Sequence, residues 1–116
     1  MKTQLKILEA IELHNERKRA KNKQAGRDEK DGFLNQISVG MYLYPLEEYQ
    51  KSKGKKYEFE KYRESVRVST SNLIRGGMNK INIEWVQVLC DALGVDANFL
   101  FGFPSKFDKE FNKLCN

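Results

Sequence analysis

The residues best suited to chemistry in this chain lie in one run, Ser69, Thr70, Ser71 and Asn72, with Arg75 a turn further on. These short hydrogen-bonding side chains favour the first turn of a helix, where free backbone amides and the helix dipole also attract phosphate. An asparagine amide so placed pairs with two atoms of an adenine edge, and an arginine reaches guanine or phosphate. Upstream, Lys55, Lys56, Arg63 and Arg67 add positive charge that binds phosphates by releasing condensed counterions. The same residues also fit a plainer description, a cap at Ser69 followed by a solvated polar face.

Elements that would position this run are written into its neighbours. Ser69 is expected to cap a short helix through Leu73 and Ile74, stopped by the Gly76-Gly77 pair. Asn82 is expected to cap a second, whose Ile83, Val86, Leu89, Cys90 and Leu93 form one apolar stripe that ends at Gly94. Asp96 opens a third, and Phe99-Leu100-Phe101 run into Gly102 and Pro104, where a proline forbids continuation.

This order over residues 68–102 resembles the second half of the lambda-repressor-like helix-turn-helix family, of the Cro/C1 or Xre type found in bacterial and phage regulators. The residues that carry the resemblance are Val68-Ser69, Ala92-Leu93-Gly94-Val95-Asp96 and Asn98-Phe99-Leu100-Phe101-Gly102. It implies a mainly α, five-helix DNA-binding domain in which Ser69 to Arg75 belong to the reading helix. Asn79 and Lys80, in the loop after that helix, would then lie beside the DNA backbone. The chain departs from the family pattern at Tyr62 and Arg63, where leucine and alanine are usual, and at Arg67, where glycine precedes the turn.

Upstream, Thr3 to about Lys21 reads as a helix with Leu5, Ile7, Leu8 and Ile11 on its apolar side, followed by a polar linker to Asp31. In Phe33 to Tyr44, Ile37, Val39, Met41 and Leu43 alternate as in a half-buried strand, so a small β-ribbon is expected there, with a helix as the alternative. Pro45, Leu46 and Tyr49 suit a further helix ended by Gly54, and Tyr57, Phe59, Tyr62 and Val66 suit the one after it. These two would be family helices 1 and 2. Alternatively, family helix 1 is the segment Leu5 to Ile11, and Asp31 to Gly54 is an insertion. The organisation expected is an N-terminal helix and basic linker over 1–31, a helix-turn-helix domain over 32–104 and a short C-terminal helix over 105–116, in one compact unit.

Catalysis is not expected. The Asp28-Glu29-Lys30 triplet has the acid-x-lysine spacing of many nucleases but lies in a charged linker, and Gly54-Lys55 lacks the glycine spacing of a phosphate loop. The lone His14 offers no base to a serine or cysteine, and with two separated cysteines, Cys90 and Cys115, it cannot complete a zinc tetrad. No metal, cofactor or small-molecule ligand is expected.

The formal net charge of +5 is modest, but its distribution is uneven: Arg17, Lys18, Arg19, Lys21, Lys23 and Arg27 form a second basic cluster. No run of apolar residues approaches the roughly 18 needed to span a bilayer, and the opening residues lack a secretory pattern, so a cytoplasmic location without membrane contact is expected. Phe107, Phe111 and Leu114 repeat along the C-terminal helix. That stripe, or the one on the N-terminal helix, is expected to form the seam of a homodimer. The expected function is a sequence-specific, repressor-like regulator acting on double-stranded DNA; the alternative is a protein-interaction module on the same fold.

Overall fold

The computed structural model describes residues 5–48, 59–76 and 82–115. Six helices carry the fold: α1 (Ile7–Ala25), α2 (Gln36–Leu43), α3 (Phe59–Gly76), α4 (Ile83–Leu93), α5 (Ala97–Phe101) and α6 (Asp108–Cys115). Residues 46–48 are also helical, and no strand occurs among the described residues.

Local chemistry sets most of the helix ends. Asn82 accepts the Trp85 amide at 2.8 Å to open α4, and Asp96 accepts the Phe99 amide at 2.9 Å to open α5. Gly94 and Gly102, with φ of 67° and 78°, close those helices in the left-handed conformation that costs glycine nothing. Before α6, Ser105 donates to Asp96 at 2.7 Å while its own amide is accepted by Asp108 at 2.9 Å, which ties α6 to the start of α5.

α1 lies inside the core. Leu5, Ile7, Ala10, Ile11 and Leu13 are buried with Leu89, Leu93, Val95, Phe99 and Leu100 of the C-terminal elements, and α1 packs on α4, α5 and α6. Of the expected apolar side, Leu5, Ile7 and Ile11 are buried; Leu8 is instead 52% exposed, and Ala10 and Leu13 complete the buried face. The helix continues four residues past Lys21, and Asn22 holds the following loop by donating to the carbonyls of Glu29 and Asp31 at 3.0 and 2.8 Å.

The β-ribbon expected at 33–44 is a helix instead. Asn35 accepts the Ser38 amide at 2.8 Å to cap α2, and Val39 and Leu43, one turn apart, are buried. α2 crosses α3 at Gly40, where an added Cβ would lie 2.1 Å from Thr70 Oγ1 and 2.6 Å from Val66 Cγ1. Only a glycine permits so close an approach.

A larger correction concerns α3. The expected end of one helix before Val68 and a new start at Ser69 do not occur; residues 59–76 are one helix. Tyr62, Val66, Thr70 and Leu73 are buried along a single face that runs through Val68-Ser69 without a break. Ser69 is therefore an interior residue and caps nothing. α3 is described as far as Gly76, the first residue of the expected Gly76-Gly77 stop; Gly77 lies outside the described residues.

Candidate nucleic-acid interface

Because the buried stripe fixes its rotation, α3 turns the opposite face to solvent. At about 3.6 residues per turn, Lys61, Glu64, Arg67, Val68, Asn72 and Arg75 fall on that side, and all are exposed. Arg63 is also exposed at the edge of this face, and Ser71 is half-buried. The face is held from behind: Val66 and Thr70 meet α2 at Gly40, and the Tyr62 hydroxyl donates to the Tyr44 carbonyl at 2.6 Å. The Tyr44 ring meets Trp85 of α4 edge-on at 5.0 Å.

Two side-chain pairs organise the exposed face. Arg67 donates through Nε and Nη2 to the two carboxylate oxygens of Glu64, the first bond being 3.0 Å long. This hydrogen-bonded guanidinium, aided by the charges of Arg67 and Arg63, holds the Glu64 carboxyl below its usual range, so it is ionised at neutral pH. About two turns further along, Arg75 donates through Nη2 to the Asn72 side-chain oxygen at 2.8 Å. Each pair sets an acceptor beside a guanidinium at a spacing of three residues.

The residues expected to bind DNA therefore fall into distinct places. Asn72, Arg75, Arg63 and Arg67 share the solvent face of α3. Ser71 borders it. Thr70 does not belong to it: it is fully buried against α2, and its hydroxyl has no hydrogen-bond partner. Ser69 is half-buried and lines a cleft of about 230 Å³ with Tyr44, Asn72, Leu73 and Trp85. Being interior to α3, Ser69 to Asn72 offer no free amides of a helix N-terminus. Lys55, Lys56, Asn79 and Lys80 lie outside the described residues.

Glu64 and Val68 belong to the face although their residue types alone do not mark them, and Lys61, a further base of the run that leads into Arg63 and Arg67, lies on it as well. The signal was available in the spacing of Tyr62, Val66, Thr70 and Leu73, which continues the helical period through the supposed turn and so assigns the positions between them to solvent.

The second basic cluster is partly structural. Arg17 forms two bonds of 2.7 and 2.6 Å to the Glu110 carboxylate, donates to the Gly94 carbonyl at 2.8 Å and lies over the Phe107 ring. This side chain joins α1 to α6 and to the end of α4. Arg19 lies over Phe33 and pairs with Glu16, and Lys23 pairs with Glu29. The acid-x-lysine triplet forms a turn in which Asp28 accepts the Lys30 amide at 2.9 Å. No group of three metal-ligating side chains occurs among the described residues.

The stripes expected at a dimer seam are largely used within the chain. Leu5 and Ile11 are buried, Phe107, Phe111 and Leu114 are half-buried against the core, and Phe111 meets Phe99 at 5.8 Å. No helix among the described residues is long and apolar enough to cross a membrane.

Comparisons with protein-family models, with curated proteins and with solved structures gave no match.

Proposed function

We propose that the protein is a sequence-specific DNA-binding regulator that presents the solvent face of α3 to the major groove. The observation that carries this reading is that face itself. A rigidly backed helix of 18 residues exposes one asparagine and four bases, Lys61, Arg63, Arg67 and Arg75, against two acids, Glu60 and Glu64. The major groove is about 12 Å wide and admits one helix, and its base edges are read by such side chains.

The fold reading that goes with this function is a variant of the lambda-repressor-like domain. Burial of α1 among α4, α5 and α6 favours α1 as the first helix, in line with the alternative assignment from sequence. α2 would then be the helix that crosses behind the reading helix, with Gly40 at the contact, and α4 and α5 would close the domain. A homodimer on two half-sites would supply the base contacts that one copy lacks.

On a selected site, Asn72→Ala should cost about 1–3 kcal/mol and relax specificity at one position, whereas Arg63→Ala should weaken all sequences alike. Equal losses on every sequence for both variants would remove the reading role from α3. Protein docking is the second reading, supported by Ile83, which is 87% exposed at the start of α4. An apolar partner there would bind with little dependence on salt.

A further inference from the structure

The two acceptor–guanidinium pairs of α3 are eight residues apart in register, 64 with 67 and 72 with 75. A helix rises about 1.5 Å per residue, so the pairs are separated by about 12 Å, close to the rise of three to four base pairs. Glu64 is the unusual member. An ionised carboxylate on a face that meets phosphates lowers affinity for every sequence unless it meets a donor, since it can only accept hydrogen bonds. The donors in the major groove are the amino groups of cytosine and adenine. Adenine sets its N7 acceptor beside that amino group, facing the carboxylate. Cytosine presents the amino group alone, and the guanine paired with it offers O6 and N7 to an arginine. The carboxylate and guanidinium held together by Glu64 and Arg67 match this order of donor and acceptors.

Resting on the DNA-binding reading above, we infer that Glu64, oriented by Arg67, selects a C·G pair, and that Asn72, oriented by Arg75, selects an adenine three to four base pairs away. Glu64 acts as a discriminator more than as a source of affinity. Its carboxylate rejects sites that lack the cytosine amino group, and the Arg67 bond keeps it in place before binding. Asn72 has the amide that pairs with the N6 and N7 of adenine, and its bond to Arg75 limits the rotation of that amide. Val68, 43% exposed between the two pairs, lies where a thymine methyl would find an apolar contact.

The test is selection of bound duplexes from a random library at one fixed salt concentration, with the full chain and its Glu64→Gln variant. Both positions of the pair are on the surface, so melting should be unchanged, and this is checked first. The native chain should enrich C·G at one position by roughly tenfold or more over other pairs. In Glu64→Gln the same position should change to adenine, which a glutamine amide reads, while the adenine read by Asn72 stays and binding to unrelated DNA becomes stronger. An unchanged preference in Glu64→Gln overturns the inference. Salt-dependent binding of the native chain without any enriched sequence also overturns it but leaves DNA binding intact; binding of no duplex at all rejects the function proposed above.

Discussion

Gly40→Ala is the sharpest structural perturbation, because two effects of opposite sign meet at that position. Gly40 is interior to α2, so helix propensity alone would make the alanine variant more stable by about 1 kcal/mol. Against this, the new methyl carbon would lie 2.1 Å from Thr70 Oγ1 and 2.6 Å from Val66 Cγ1. Both neighbours are short, β-branched side chains on the opposing helix, with no flexible end that can swing away. The helices must separate by about an ångström or Thr70 must leave its rotamer, and overpacking of this kind costs about 1–3 kcal/mol. With the steric cost at the upper end of that range, the net loss is about 2 kcal/mol, or roughly 6–12 °C in Tm for a domain of this size. Urea unfolding followed by circular dichroism measures it. The same substitution made in a Thr70→Ala background should cost clearly less, since the nearest atom is gone. A Gly40→Ala protein as stable as the native chain, or more stable, would mean that α2 and α3 do not meet there, and the support for the proposed DNA-facing side of α3 would be wrong.

Other substitutions test separate parts of the fold. Leu89→Ala empties a fully buried position and should cost about 2–5 kcal/mol in denaturant unfolding; unchanged stability would place α4 outside the core. Thr70→Val keeps the shape while removing a buried hydroxyl that has no partner, so it should raise stability by about 1 kcal/mol, and a loss would reveal an essential hydroxyl contact. Arg17→Met should cost about 1–2 kcal/mol, since it removes a partly exposed ion pair together with the bond to Gly94. The Arg17 guanidinium holds the Glu110 carboxyl below its ordinary 4.5, so this pair stabilises the fold above that pH and loses its contribution as pH falls through the depressed value. Acid unfolding of Glu110→Gln should lack that portion, and an unaltered acid limb would show the pair to contribute nothing.

What the sequence revealed follows the range of the interactions. Caps at Asn82 and Asp96 and the left-handed glycines at 94 and 102 depend on residues within one turn, and their chemistry is legible without a fold. Ser69 carries the same local signal and misleads, because the buried stripe of Tyr62, Val66, Thr70 and Leu73 outweighs one capping bond and carries the helix through. Alternation in Ile37, Val39, Met41 and Leu43 suggests a strand only until Val39 and Leu43 are seen as an i, i+4 pair behind the cap at Asn35. Arg17 looks like surface charge in sequence, since its partner Glu110 lies 93 residues away. At the candidate interface, Asn72 and Arg75 were legible by residue type. The pairing of Arg67 with Glu64, and the loss of Thr70 to the α2 contact, depend on the rotation of α3, which only the packing of that helix determines.

The central claim is that α3 binds DNA, and the most direct measurement is the salt dependence of duplex binding by the full chain, followed by fluorescence anisotropy from low salt upward. Each neutralised phosphate contributes about −0.9 to the slope of log K against log salt. With Lys61 and Arg63 on phosphates and Arg67 and Arg75 shared between bases and phosphates, one bound copy should give a slope of about −2 to −4. Arg63→Ala should make that slope shallower by about one unit. A slope near zero, or no binding at low salt with ~10⁻⁴ M protein, the weak end of ordinary non-specific affinity, would contradict the account.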